Sequence, residues 1–206
     1  MTSLAILGAS GHGKVVADTA EACGWTSVTF FDDAWPSRSA NGSWPIVGDS
    51  AELFRRLKEY AGVIVAIGNN AVRDTKLLEL QARHAPLISL IHPHAFFSHH
   101  ARLGAGSVVF AGAVVNAGAL IGRGAIINTG SSVDHDCLLG DAVHLSPGAR
   151  LAGGVEVGDR SWIGIGATVR QLIRIGSYVT VGASSAVVRD VPDGIVVVGV
   201  PARRLG

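Results

Sequence analysis

The sequence predicts a small Rossmann-like α/β domain followed by a parallel β-solenoid built from hexapeptide repeats. Three observations predict it. From Leu103 to Val187 an aliphatic residue returns at every sixth position, fifteen times running: Leu103, Val109, Val115, Ile121, Ile127, Val133 and so on to Val187. If about a third of these residues are aliphatic, one register does this by chance on the order of once in ten million trials. A second, mostly small series stands four places later, from Ser107 and Ala113 to Ser185 and Val191. Ahead of the repeat, the apolar run Leu4–Leu7 enters a glycine-rich loop and then a segment of helical spacing.

A period of six fits neither a helix nor a half-buried strand, and this density of glycine is costly inside either. Short strands joined by tight corners satisfy it: the aliphatic residue fills the coil, the small residue lets corners close, and Gly or Asn supplies the positive φ of a corner. At three hexapeptides per triangular coil, fifteen make five coils.

The chain of 206 residues is 48% hydrophobic with a net charge of +1. No run approaches the ~20 apolar residues of a membrane span, and the N-terminus lacks the basic and apolar stretches of a signal peptide, so a cytoplasmic location is expected. Scattered charge argues against a nucleic-acid partner held by bulk electrostatics. Two cysteines make no disulfide framework, and both Cys23 and Cys137 are expected to be buried and reduced.

In chain order, Gly8-Ala9-Ser10-Gly11-His12-Gly13-Lys14 reads as a phosphate-binding loop, in which backbone without side chains approaches an anion at a helix N-terminus. It has neither the spacing of the dinucleotide fingerprint nor that of the P-loop. Val28–Phe31 is a second strand ending in Asp32-Asp33, where an acidic residue reaches a ribose hydroxyl in nucleotide-binding α/β folds. Residues 35–45 read as loop and Ser50–Tyr60 as a helix capped by Ser50. Gly62–Ile67 is a buried strand leading to Gly68-Asn69-Asn70, with Arg73 one turn on. Strand C-termini hold ligands in open α/β sheets, so Gly8, Asp32 and Gly68 point to one crevice, and Asn69, Asn70 and Arg73 are candidate donors to a base or phosphate. A helix over Val72–Arg83 and an extended Leu87–Ile91 complete a domain at 1–92, half of a dinucleotide fold and suited to a mononucleotide; 93–206 form the second domain. His94, His99 and His100 cluster at the junction, but no ligand spacing supports a metal.

Within the repeat, polar exceptions carry the information. Asn128-Thr129 through Val133-Asp134-His135-Asp136 is the most polar stretch, and His144-Leu145-Ser146 follows. His135 occupies the third place of its hexapeptide, where the side chain leaves the coil. A histidine beside an aspartate acts as a general base whose cation the carboxylate stabilises. His144, half a coil later, belongs to another face of the triangle.

These motifs, with Ile91-His92-Pro93 and Gly199-Val200-Pro201-Ala202-Arg203, resemble the NeuD/PglD group of bacterial sugar acetyltransferases along the whole chain. The resemblance implies a left-handed β-helix, a homotrimer with active sites between subunits, acetyl-CoA as co-substrate, a nucleotide-sugar acceptor and no metal. It makes His135 the general base and Asp136 its acidic neighbour. It assigns Gly8, Ser10, Gly11, His12, Gly13, Lys14, Asp32, Asp33, Gly68, Asn69, Asn70 and Arg73 to the nucleotide-sugar. Asn128, His144, Gly153, Ile165, Gly166, Gly182, Ala183 and Arg203 fall to acetyl-CoA, with the Gly153 N–H near the developing oxyanion.

The chain departs from the family where Ala167-Thr168-Val169-Arg170-Gln171 lacks a proline and where Gly182-Ala183-Ser184-Ser185-Ala186 replaces a Gly-Ala-Gly-Ala segment. Asp136 also stands where some members have Glu, one methylene longer, so a less direct bond to His135 is expected. The reaction expected is N-acetylation of a nucleotide-activated amino sugar, with a UDP-4-amino-4,6-dideoxy sugar first and a GDP-linked sugar second. O-acetylation of a sialic-acid-like sugar, a non-catalytic nucleotide-sensing trimer and a carbonic-anhydrase-like solenoid are the other readings the residues allow.

Overall fold

In the computed structural model, which describes residues 2–205, two bodies share one interface. The first carries β1 (Ser3–Leu7), α1 (Gly11–Ala22), β2 (Ser27–Phe31), β3 (Ala40–Asn41), β4 (Trp44–Pro45), α2 (Ser50–Arg55), β5 (Gly62–Val65) and α3 (Asn70–Ala82). β1 lies between β2 and β5 in a three-stranded parallel sheet. Leu4, Ile6, Phe30 and Ile64 are buried on one face against α1, and Leu7, Val65, Leu77 and Leu80 on the other, the two-sided burial that a parallel sheet requires. The expected strands and helices are present, with local differences. β3 and β4 form a hairpin inside the expected loop. α2 is capped by Asp49, which accepts from the Glu52 N–H at 2.7 Å, and not by Ser50. Cys23 is exposed at the end of α1, where the helical pattern stops.

The solenoid is a stack of two-residue strands at six-residue spacing, arranged as three sheets of six, five and eight strands, parallel throughout except that the last strand, Arg203–Arg204, runs antiparallel to the three-residue strand Val196–Val198. Strands pair with the one 18 residues on, as Ile127 with Leu145 and Leu145 with Ile163, until the last coil, where Thr180 pairs with Val196, 16 residues on. The aliphatic series fills the interior and the small series closes the corners, both buried. Buried corner serines keep their hydroxyls bonded: Ser107 Oγ donates to the Gly122 carbonyl and Ser161 Oγ to that of Gly176.

The stack begins earlier than the aliphatic series. Leu90–Ile91 pairs with Val108–Val109, and Phe96–Phe97 with Val114–Val115. The chain therefore leaves the first body between Leu87, which still bridges to Val63, and Leu90. Glycine serves two separate purposes. Positive φ falls three places after the aliphatic residue, at Gly124, Gly130 and Gly166 but also at Asp136, Ala142 and Arg160. The glycines directly after the aliphatic residue are there for close approach: a Cβ on Gly122 would stand 2.6 Å from the Gly140 carbonyl carbon in the next coil. Among the described residues no helix is long and apolar enough to cross a membrane.

Candidate active site

Two cavities and one exposed histidine make up the site. The first cavity, of about 270 Å³, opens at the C-terminal ends of β1, β2 and β5 and is lined by Gly8, Ser10, Asp32, Asp33 and Gly68. Gly8 has φ +109°, and a Cβ there would lie 2.8 Å from the Ala66 carbonyl oxygen, so only glycine lets the loop leave β1 at this angle. Asp32 is turned to its own backbone, accepting from the N–H groups of Ala9 at 2.6 Å and Ala34 at 3.0 Å, which fixes the loop. Asp33 accepts from the Ser50 N–H at 2.9 Å. The Ser50 hydroxyl and backbone N–H hold its carboxyl below the usual range, with Lys76 adding to the effect. Lys76, on the face of α3 one turn beyond Val72, and Ser50 also line the crevice; both were missed in the sequence because neither belongs to a motif.

Gly11, Gly13, Lys14, Asn69, Asn70 and Arg73 do not line this cavity. Gly13 packs α1 against the loop, since a Cβ would meet the Gly8 carbonyl oxygen at 2.5 Å. Asn69 caps α3 by accepting from the Val72 N–H. The expectation that Arg73 binds a base or phosphate is overturned: it is buried, and all five of its N–H groups are used within the fold. Nε donates to the Gly124 carbonyl at 2.7 Å, Nη1 to those of Ile67 and Gly68, and Nη2 to the Asn70 side chain and the Ala142 carbonyl. Burial lowers its pKa to about 10, so it stays cationic at neutral pH. Beside it, buried Asp74 pairs with Arg123 at 3.0 Å and accepts from Arg160 Nε at 2.7 Å, while the Asn70 amide donates to the carbonyls of Arg160 and Ser161. These residues join the two bodies.

The second cavity, about 420 Å³, runs along the eight-stranded face of the solenoid. Asn128, His144, Ile165, Gly182 and Ala183 line it, together with Ser146, Trp162 and Thr180. Gly166 instead closes a corner at φ +65° and donates to the Pro147 carbonyl. Arg203 lies in a separate depression with Arg189 and Arg204. The His144 ring stacks on Trp162, with centroids 5.4 Å apart and planes at 3°, and its Nε2 lies 3.2 Å from Asn128 Nδ2. Asn128 Oδ1 takes the Thr129 N–H at 2.9 Å, so its amide group faces His144. That makes His144 Nε2 the acceptor and puts the proton on Nδ1. Burial, then Arg73 and His12, lower the His144 pKa to about 3. His12 does not point into the crevice; it leaves the glycine loop toward the solenoid, edge-on to Phe110 and 6.4 Å from the His144 centroid.

His135 stands on a corner, its side chain 63% exposed. Its Nδ1 lies 2.8 Å from Asp136 Oδ2, a direct bond despite the shorter side chain, because Asp136 takes φ +58° and turns back onto the ring. Asp134 accepts the His135 N–H at 2.8 Å and is itself held by Asn116 at 2.9 Å. Asp136 first and then Asp134 raise the His135 pKa above the ordinary histidine value. With Nδ1–H given to Asp136, Nε2 is the free lone pair, and it lies over Gly153: a Cβ there would stand 2.4 Å from it. The Gly153 N–H has no backbone acceptor among the described residues. The arrangement provides a base and an adjacent unoccupied donor, on a different corner of the triangle from the groove beside His144.

The PglD N-terminal domain family matches residues 3–80. The chain is 29% identical to GDP-perosamine N-acetyltransferase of Escherichia coli O157:H7 over 216 residues, covering 100% of this chain and 97% of that enzyme. The acetyltransferase domain of PglB from Neisseria gonorrhoeae FA1090, solved in complex with acetyl coenzyme A, is 44% identical, with 98% of each chain covered and a TM-score of 0.95. PerB from Caulobacter crescentus, solved in complex with CoA and GDP-perosamine, is 42% identical over 100% of this chain and 98% of that one, also with a TM-score of 0.95.

Proposed function

The chain belongs to the PglD-type nucleotide-sugar acetyltransferases, whose solenoid is the left-handed β-helix of the hexapeptide-repeat acyltransferases, and we propose that it acetylates the amino group of a nucleotide-linked sugar directly from acetyl-CoA with His135 as base. The observation that carries this reading is the 2.8 Å contact between His135 Nδ1 and Asp136, which leaves Nε2 as a lone pair beside the unpaired Gly153 N–H. As the amine attacks the thioester carbonyl, Nε2 takes its proton. The carbonyl oxygen becomes an oxyanion that the Gly153 N–H is set to receive. Collapse breaks the C–S bond, and the imidazolium returns the proton to the leaving thiolate. Asp136 supports the imidazolium throughout.

The groove walled by His144, Trp162 and Ile165 supplies an apolar channel of the size of a pantetheine arm, and the crevice at Gly8, Ser10 and Asp33 suits the nucleotide. Because His135 and the groove occupy different corners, a second subunit has to supply one of them, which supports a homotrimer with shared sites. Exposed Phe96, Leu120 and Leu138 offer apolar surface for its contacts. The acceptor class is a nucleoside-diphosphate amino sugar. Sequence reading puts uridine first, while GDP-perosamine N-acetyltransferase and PerB, which match the whole chain, act on or bind GDP-perosamine. A thiol-release assay with acetyl-CoA and a panel of UDP-, GDP- and CMP-linked amino and hydroxy sugars tests the reading. Release with one amino sugar, lost about 10²-fold or more in His135→Ala, is expected for a general base. Release only with hydroxy sugars would move the reaction to O-acetylation, and an unaffected His135→Ala would remove His135 as the base.

A further inference from the structure

The glycine loop touches both cavities. Gly8 and Ser10 line the nucleotide crevice, and two residues further His12 reaches His144, which walls the groove on the solenoid. Each imidazole has a buried nitrogen with no partner, His12 Nε2 and His144 Nδ1. His144 is 8% exposed. Its tautomer is fixed by Asn128, so Nδ1 is a donor. Unpaired buried nitrogens are costly, typically ~1–3 kcal/mol each, and two on rings whose centroids lie 6.4 Å apart signal a group that arrives later. A bound group that accepts from His144 Nδ1–H and donates to a neutral His12 Nε2 must be both acceptor and donor, as a hydroxyl is. Burial keeps both rings uncharged, and Arg73 is the charged group near both.

We propose that His12 and His144 clamp a ring hydroxyl of the acceptor sugar, so that His12 reads the sugar and not the phosphates. The inference rests on the acetyltransferase reading for the identity of the ligand. A sugar linked to a nucleotide in the crevice has to pass the end of the glycine loop to reach a thioester in the groove, and His12 is the residue of that loop that neighbours His144.

The test uses the full-length protein with GDP-perosamine and the corresponding UDP-4-amino-4,6-dideoxy sugar as probes, beside plain GDP and UDP. His12→Phe keeps the ring and removes the nitrogen; His12→Gln keeps a polar end. The expected result is a 10- to 100-fold loss of kcat/KM for the amino sugar in His12→Phe, the effect of leaving one buried partner unpaired. Inhibition by the plain diphosphate stays within twofold, the melting temperature is unchanged, and His12→Gln recovers part of the loss. Histidine side-chain ¹⁵N shifts supply a readout that needs no turnover: His12 Nε2 and His144 Nδ1 should move with the amino sugar and stay put with GDP or UDP. A diphosphate inhibition constant that rises in step with KM would return His12 to the phosphates, and unmoved nitrogens with bound amino sugar overturn the clamp. If both probes bind and move these nitrogens while no CoA is released, the acetyltransferase reading fails and the clamp survives.

Discussion

Gly153→Ala separates the position of the His135 ring from the stability of the fold. The new methyl carbon would stand 2.4 Å from His135 Nε2 and 2.5 Å from its Cε1, against the ~3.5–4.0 Å of ordinary contact. The ring must therefore retreat by more than about 1 Å. It can do so, because the side chain is 63% exposed in this chain. Leaving its rotamer costs about 0.5–1.5 kcal/mol. Removing a glycine whose backbone does not need positive φ returns about 0.4–1 kcal/mol through the unfolded state. The two nearly cancel, so the melting temperature should stay within a few degrees. Activity should not survive as well, because a displacement of about 1 Å at a reacting group costs on the order of 10²-fold. Thiol release gives the rate and differential scanning fluorimetry the stability. The double variant with His135→Ala should be no slower than His135→Ala alone, since both remove the same function. Turnover of Gly153→Ala within about threefold of the parent would refute the reasoning, for Nε2 over Gly153 would then not be the working position of the base.

If sites are shared between subunits, inactive His135→Ala protein mixed with inactive Ile165→Trp protein, whose groove is filled, should regain activity after subunit exchange. Random assembly leaves about a quarter of the sites with both parts intact, and no recovery in trimers shown by mass to have exchanged would place the site within one chain. The acid limb of kcat/KM should lie above the ordinary histidine value, because Asp136 and then Asp134 raise the His135 pKa; Asp136→Asn should move it to lower pH and slow the plateau. A limb that does not move would mean that another group titrates. Stability should fall on acidification: His144 and His12 have folded pKa values of about 3 and about 4 against 6.5 unfolded. Below pH 6.5 the unfolded chain takes up protons that the folded chain refuses, so stability is full above that pH and declines toward pH 4. His12→Gln should flatten part of this decline in urea titrations, and an unchanged slope would show that His12 is not neutral in the fold.

The solenoid was legible because its physics is periodic. Once each coil has 18 residues, as Ile127 over Leu145 shows, the neighbours of any corner follow by addition: Asn116 under Asp134, His135 under Gly153, His144 under Trp162. Trp162 could have been found in this way, although no motif contains it. The early coils were missed because Phe97 interrupts the aliphatic rule and the series seems to start at Leu103. In the first body the sequence marks which loops meet at a crevice, since strand C-termini do so in any open parallel sheet. It does not mark which way a side chain turns within those loops. Asp32 spends its carboxylate on two backbone N–H groups, and His12 and Arg73 turn to the solenoid.

The misreading of Arg73 has a physical basis that bears on the reaction. A guanidinium after a glycine-asparagine loop is the residue type that binds phosphate, and its five donors in a fixed fork suit carbonyl oxygens equally well. Here the acceptors come from both bodies: Ile67, Gly68 and Asn70 on one side, Gly124 and Ala142 on the other. Asp74, the next residue, reaches Arg123 and Arg160, which lie two coils apart with the Asp141 coil between them. A single exposed ion pair is worth little, but a buried, fully bonded guanidinium such as that of Arg73 defines one geometry and penalises others. Direct transfer needs that definition. On the proposed reading the nucleotide crevice belongs to one body and the acetyl-CoA groove to the other, and an amine must meet a thioester within about 3–3.5 Å for attack. A hinge of even a few degrees over the length of a nucleotide-sugar would spoil that approach, so the charge that a nucleotide site could have used is spent on holding the two bodies in register.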